Sequence, residues 1–336
     1  MTLHANVLSL IGRTPVVRLN RLPGPRGAQV FAKLEYLNPG GSVKDRCAQS
    51  VVEEAEKKGD IRPGDTLIEA SSGNTGIALS LIGAVKGYRV IIAISKKMSQ
   101  EKVQILRALG ADVHICDNLP HDDPNSYIGV AKRLTKEIPR AYYCAQTENQ
   151  SNVRGHFQTG KEIWDEFGTT LTAVVAGAAT GGTISGIASY LKKRNPKVKI
   201  VGVDPEGSIL GGPGPIKPYA IEGIGYDFFP ATLWRELIDE WVKVADYDAF
   251  VTCRKMARLE GLFAGSSSGA AVHAALQVAG GLTKEDRVLT ILPDGGERYL
   301  SKVYNDDFWR KAFGKDPPNF NLFEELVPTL SPKGGG

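Results

Sequence analysis

The chain has 336 residues, 42% of them hydrophobic and 23% charged, with a formal net charge of +4 at pH 7. That length suggests about two domains, and a chain of this size buries enough of itself to need no disulfide staple. So small a net charge, with no long Lys/Arg block, gives no support to nucleic-acid binding. The cysteines Cys47, Cys116, Cys144 and Cys253 form no CxxC pair, so neither a zinc ribbon nor a redox dithiol is expected, and no metal site. The opening MTLHANVLSLIG is too polar and too short for a secretory signal. No apolar run of about 18 residues exists, so no membrane span is expected and a reducing cytoplasm is the expected location.

In chain order, QVFAKL at Gln29–Leu34 reads as a strand. It is followed by the turn LNPGGSVKDR, from which a helix is expected over 42–58, with Val43, Cys47, Val51 and Ala55 on one face. TLIEA at Thr66–Ala70 is a short buried strand. It meets the turn SSGNTG and then an apolar helix over 77–86. The unit repeats as a strand over 88–95, a helix over 100–109 and a strand at Asp112–Cys116. A polar loop, DNLPHDDPNS, leads to a helix over 127–136 and a strand over 141–144. The second half continues with a helix over 152–167, a strand over 173–176, the turn GAATGGT, a helix over 183–194 and a strand over 198–203. A Gly/Pro-rich loop over 211–218 and a turn, EGIGYD, come next. Helices over 247–260 and 267–278 and a strand at Arg287–Leu292 follow. The tail over 315–336 is Pro-rich and ends in PKGGG, so it is expected to be irregular. Alternating strands and helices predict an α/β fold with mostly parallel sheets covered on both faces.

Three glycine-rich turns stand where parallel sheets bind ligands, at the C-terminal ends of strands. SSGNTG offers hydroxyls, an amide and the N–H groups of the following helix, a set suited to a carboxylate; it also reads as a plain helix cap. In GAATGGT the glycines let backbone N–H groups approach a phosphate, or else simply allow a close strand–helix crossing. Its spacing matches neither GxGxxG, since position 179 is Ala, nor a Walker loop, since no Lys follows. A phosphate monoester therefore suits it better than a dinucleotide. The third turn, GSSSG over 265–269, supplies hydroxyls at another helix start. Lys44 in LNPGGSVKDR is by itself either a solvated surface cation or a lysine held near neutrality for chemistry. A reactive lysine, a phosphate cup, a carboxylate cup and a lone hydroxyl are together the parts that hold pyridoxal phosphate and an amino acid.

With these motifs in this order, the chain resembles the cystathionine β-synthase/cysteine synthase family of fold type II pyridoxal-phosphate enzymes. The family's NxGGSxKDR is here Asn38 through Arg46, its TSGNTG matches residues 71–76, its GxGTGGT matches 177–183, and its QxxNxxNxxxHxxTxxEI matches 146–163. The resemblance implies two domains, each with a mostly parallel twisted sheet flanked by helices: a smaller one from 1–15 and 38–148, a larger one from 16–37 and 149–316, then a tail over 317–336. It implies pyridoxal 5′-phosphate as cofactor, held by Lys44 as the Schiff-base lysine, Asn74 at the 3′-oxygen, Ala179, Thr180, Gly181, Gly182 and Thr183 around the phosphate, and Ser267 at the pyridine nitrogen. It implies Ser71, Ser72, Thr75, Gln146, Gly223 and Tyr226 at the substrate. The partners it implies are small amino acids and a second copy of the chain in a homodimer.

The stretches KKMSQEKVQILRALGA, SYIGVAKRLTKEIP, VGVDPEGSIL and EGIGYDF look like the cystathionine β-synthase branch, so β-replacement on serine by homocysteine is the expected reaction. Use of O-acetylserine or O-phosphoserine with sulfide, or of an amine nucleophile, remains the alternative. Two positions depart from the family pattern. Ala179 stands where a glycine is usual, which costs little if its φ is negative. Thr147 stands where an aromatic is usual, which touches the substrate pocket rather than the cofactor site. The haem segment and regulatory domains of the animal enzymes have no counterpart in this sequence, so regulation through them is not expected.

Overall fold

The computed structural model describes residues 3–24, 27–71 and 73–320. Ser72 and most of the 315–336 tail lie outside them. The strands are β1 (Val16–Arg18), β2 (Gln29–Leu34), β3 (Thr66–Ala70), β4 (Arg89–Ser95), β5 (Asp112–Cys116), β6 (Ala141–Tyr143), β7 (Ala173–Gly177), β8 (Lys199–Pro205), β9 (Glu240–Val244) and β10 (Arg287–Leu292). The helices are α1 (Lys44–Lys58), α2 (Asn74–Lys86), α3 (Gln100–Ala108), α4 (Tyr127–Glu137), α5 (Ser151–Gly155), α6 (Phe157–Phe167), α7 (Gly182–Lys192), α8 (Asp246–Lys255), α9 (Ser266–Gly280) and α10 (Asp306–Phe313). The fold is α/β with mostly parallel sheets, as the alternation predicts.

Two sheets organise the chain. A four-stranded sheet runs β5-β4-β3-β6, parallel throughout. A six-stranded sheet runs β1-β2-β10-β7-β8-β9; it is parallel except for β1, which pairs antiparallel with β2. The inner strands read as continuous apolar runs because helices cover both faces: all five residues of β3 are buried, and six of the seven in β4. The β2–β10 pairing, with Gln29 opposite Arg287, joins distant parts of the sequence.

The structure departs from expectation in a few places. The helix expected over 152–167 is two helices, broken at the buried His156. Gly155 there lies so close to α1 that an added Cβ would sit 2.7 Å from the Arg46 carbonyl oxygen, and Gly186 of α7 meets the His156 side chain. The helix expected over 247–260 ends as α8 and continues as a π-helical turn, Met256–Glu260, which Gly261 closes at φ +69°. Strands β1 and β9 and helix α10 were not expected. β1 has three residues, β9 is partly exposed at all but its last residue, and α10 carries four charged side chains, Asp306, Asp307, Arg310 and Lys311, among its eight residues. Among the described residues no helix is long and apolar enough to cross a membrane.

Candidate active site

The C-terminal ends of β7 and β10 and the first residues of four helices meet at one narrow cleft. Lys44 opens α1, Asn74 opens α2, Gly181 caps α7 and Ser267 lies in the first turn of α9. All four line the cleft, with Ala179, Thr180, Thr183 and Gly223. Four helix N-termini, each carrying partial positive charge, thus surround one lysine, and the arrangement favours an anionic ligand.

The turn between β7 and α7 is built for such a ligand. Among the described residues the backbone N–H groups of Ala179, Thr180, Gly181, Gly182 and Thr183 have no hydrogen-bond acceptor, whereas Ala178 N–H donates to Val203 O at 2.9 Å and Ser185 N–H to Gly181 O. Five neighbouring free donors at a helix start fit a phosphate. The glycines are required: Gly181 holds φ +84° against Leu233, and the Asn152 carboxamide fills the space that a Cβ on Gly182 would need. Ala179 is not among the residues with positive φ, so its methyl group is tolerated. Side chains of the 146–163 stretch brace this turn. Asn152 Nδ2 donates to Thr180 Oγ1 at 3.0 Å and to Gln146 O at 2.8 Å. His156 Nε2 lies 3.2 Å from Thr183 Oγ1, and its Nδ1 lies 3.2 Å from Thr159 Oγ1. Burial, then the charges of Lys44 and Arg46, hold His156 well below the usual histidine range, so it braces as a neutral ring.

Lys44 is partly accessible from the cleft, and its ammonium has no hydrogen bond or ion pair among the described residues. Burial lowers its pKa below the ordinary lysine value, while Cys47 and Asp294 act against that. A lysine so placed is a candidate nucleophile and base. Its helix is bolted in place two residues on. Arg46 grips Glu35 through Nε and Nη2 at 2.8 and 2.9 Å, and Glu162 through Nη1 and Nη2 at 2.8 and 2.7 Å. Lys33 adds a bond to Glu162 at 2.8 Å. Burial pushes the Glu162 carboxyl up, but Arg46 and Lys33 outweigh it and hold it at about 2.

Ser267 is 2% exposed and its hydroxyl has no partner among the described residues. Gly223, at φ +88°, brings the EGIG backbone beside it: an added Cβ would lie 3.7 Å from Ser267 Oγ. Gly225 N–H donates to Ala178 O at 2.7 Å and ties this turn to the phosphate turn. A lysine, a donor nest and a lone hydroxyl around one cleft are a set that fits pyridoxal phosphate.

The remaining expected residues that are described stand outside the cleft lining. Ser71 Oγ accepts N–H bonds from Gly73 at 3.0 Å and Gly76 at 3.1 Å, so it closes its own turn and keeps one O–H to give. Thr75 Oγ1 donates to Gln146 Oε1 at 2.6 Å, and Gln146 Nε2 donates to Ala70 O at 2.9 Å. Ser72 is not described. Tyr226 packs beside Phe228, ring centroids 4.7 Å apart, with its backbone held by Ser208. Behind Gln146 lies Glu69, 1% exposed, which accepts from Gln146 N–H at 3.2 Å. No cation pairs with it among the described residues, and burial pushes its carboxyl up to about 8.

The motifs do not include Asp294 and Arg298, which hold Asn74, or Tyr299, which donates to Asp294. Asn74 Nδ2 donates to Asp294 Oδ2 at 2.6 Å and Arg298 Nη1 donates to Asn74 Oδ1 at 2.6 Å. The PDGG turn at these side chains marks a loop, and their charges read as surface until β10 turns them inward.

Comparison with known proteins agrees with this geometry. Cystathionine β-synthase of Saccharomyces cerevisiae is 48% identical over 91% of this chain and 64% of its own length. The chain thus spans somewhat less than two thirds of that relative. Cysteine synthase of Staphylococcus aureus is 43% identical over 88% of this chain and 95% of its own. The crystal structure of an O-acetylserine-dependent cystathionine β-synthase from Helicobacter pylori matches with a TM-score of 0.85 and 43% identity, covering 91% of this chain and 100% of that one. The family described as pyridoxal-phosphate dependent enzyme matches residues 7–294, and to that family this chain belongs.

Proposed function

We propose that the chain catalyses β-replacement on serine or an activated serine, condensing it with homocysteine to give cystathionine. The observation that carries the cofactor part of the reading is the convergence of a Lys44 unpaired among the described residues with five N–H groups at the start of α7 and the Ser267 hydroxyl, likewise without partners among them; the choice of homocysteine rests on the likeness to cystathionine β-synthases. Pyridoxal phosphate, when bound, supplies the electron sink that lets an amino acid lose its α-proton and then its β-substituent. The chain supplies the rest. The 179–183 turn would hold the phosphate, and Asn74 would offer an N–H to a ring oxygen. Ser267 would give the ring nitrogen a neutral partner, which would not enforce its protonation. Lys44 would hold the cofactor and would be the base that withdraws the substrate α-proton and returns it; its depressed pKa favours the free amine this requires. Ser71, Ser72 and Thr75, with Gln146, receive the substrate carboxylate. The spare O–H of Ser71 is available for that contact, and Thr75 must turn away from Gln146 or share its bond.

The Helicobacter relative, whose name specifies O-acetylserine, favours an activated donor as a second reading. The test offers the purified protein serine with homocysteine in one reaction, and O-acetylserine or O-phosphoserine with sulfide or homocysteine in others, with products identified by mass spectrometry. Cystathionine is expected. Turnover to cysteine alone would refute the homocysteine assignment. The proposal also includes a homodimer in a reducing cytoplasm, and a monomer by sedimentation would refute the dimer.

A further inference from the structure

Asp294 lies just past β10, is 1% exposed, and stands at the junction of three cleft elements. Its backbone bridges to Ser42 in the lysine turn, and its carbonyl accepts Gly265 N–H at the start of α9. Its side chain reaches the third. Oδ2 accepts from Asn74 Nδ2 at 2.6 Å and from Tyr299 O–H at 2.6 Å. The opposite end of the same carboxamide accepts from Arg298 Nη1 at 2.6 Å, while Arg298 Nη2 also donates to Gly40 O.

These partners decide which way Asn74 points. A carboxylate only accepts and a guanidinium only donates, so the amide nitrogen must face Asp294 and the amide oxygen Arg298. An untethered carboxamide can turn over and offer either end. Here the oxygen is committed and a single N–H is left. Asn74 lines the cleft, so that N–H selects a ligand oxygen that accepts, such as an ionised phenol.

We propose that Asp294 is a positioning residue for the cofactor: with Arg298 it locks the Asn74 carboxamide so that a donor, never an acceptor, faces the ring oxygen. The proposal rests on assigning the cleft to pyridoxal phosphate. Asp294 has a second effect through its charge, which opposes the lowering of the Lys44 pKa by burial. Cys47, one turn along α1, acts in the same direction, and His156 faces Lys44 from the α5–α6 junction.

The test measures pyridoxal-phosphate affinity of apoprotein by equilibrium dialysis, together with the pH dependence of the bound cofactor's visible absorption. It uses wild type, Asp294→Ala, Asp294→Asn, Asn74→Ala and the two double variants. Losing a charge-assisted hydrogen bond should weaken binding by about 10- to 100-fold in Asp294→Ala. Asp294→Asn keeps an acceptor oxygen and should lose only about 3- to 10-fold. In both, the visible spectrum should titrate at a different pH from wild type. In the Asn74→Ala background neither change at 294 should weaken binding further. Wild-type affinity in both single variants, or an undiminished penalty without Asn74, would overturn the proposal. If Asp294→Ala does not fold, the isosteric Asp294→Asn carries the same comparison. Failure of the wild type itself to bind would refute the cofactor assignment instead, so the two outcomes stay separate.

Discussion

Replacing Glu69 by Gln isolates one buried carboxyl. The residue sits on β3 behind Gln146, takes a backbone N–H bond, and has no cation among the described residues to offset its burial. Its pKa rises from 4.5 to about 8 on folding. Because the folded value lies above the unfolded one, the folded state binds the proton more tightly. The wild type is therefore most stable below the unfolded pKa and loses stability as pH rises toward 8. At about 1.4 kcal/mol for each pH unit, the loss reaches about 3 kcal/mol at neutral pH and about 5 kcal/mol above pH 8. Gln keeps an acceptor oxygen for Gln146 N–H and has no proton to lose. The difference between E69Q and wild type should thus be near zero at about pH 4.5, then grow in favour of E69Q as pH rises. Urea unfolding followed by tryptophan fluorescence, at several pH values and one fixed cofactor concentration, measures it. A difference that does not vary with pH, or a variant less stable than wild type in mild alkali, would refute the reasoning.

Two further outcomes follow from the site's supports. Glu162→Gln should destabilise by about 3 kcal/mol at neutral pH; since the folded pKa of Glu162 is depressed to about 2, that difference should vanish in acid as the wild type loses its own ion pairs between about pH 4.5 and 2. Thermal melts across that range decide it, and a gap that persists in acid would contradict the assignment. Gly182→Ala should fold but bind pyridoxal phosphate at least about 10-fold more weakly, because the methyl group must displace the Asn152 carboxamide that braces Thr180; unchanged affinity by dialysis would show that the turn yields without cost.

The parts of this molecule that the sequence displays are those set by local pattern. The boundaries of β3 and β10 are legible because burial on both faces makes them mostly apolar between turn signals, whereas β5, a half-exposed edge strand, is marked only by its β-branched residues. The glycine turns were legible because positive φ and close backbone approach exclude other residues. Less legible were features that depend on a distant partner. The 152–167 helix reads as one piece, since nothing local to His156 announces that Gly155 must nestle against α1. The 146–163 motif could be matched residue by residue while its work stayed hidden; Asn152, His156 and Glu162 act on Thr180, Thr183 and Arg46, which are far off in sequence. Asp294 and Arg298 are further cases, because a buried acid and a buried arginine look like surface charges until their neighbours are known.

The pairing of β2 with β10 has a bearing on how the molecule comes into being. The four-stranded sheet draws all its strands from residues 66–143, so it can close while the ribosome is still making the second half. The lysine turn cannot settle so early. It follows β2 directly, and Val43 N–H donates to Pro293 O at 2.8 Å, immediately after β10. Until that last strand docks, the early-made lysine turn lacks its floor, and contacts of such long sequence separation form late. A nascent chain would therefore hold a finished four-stranded sheet and an unfinished lysine turn, and cofactor capture would mark the end of folding rather than its beginning.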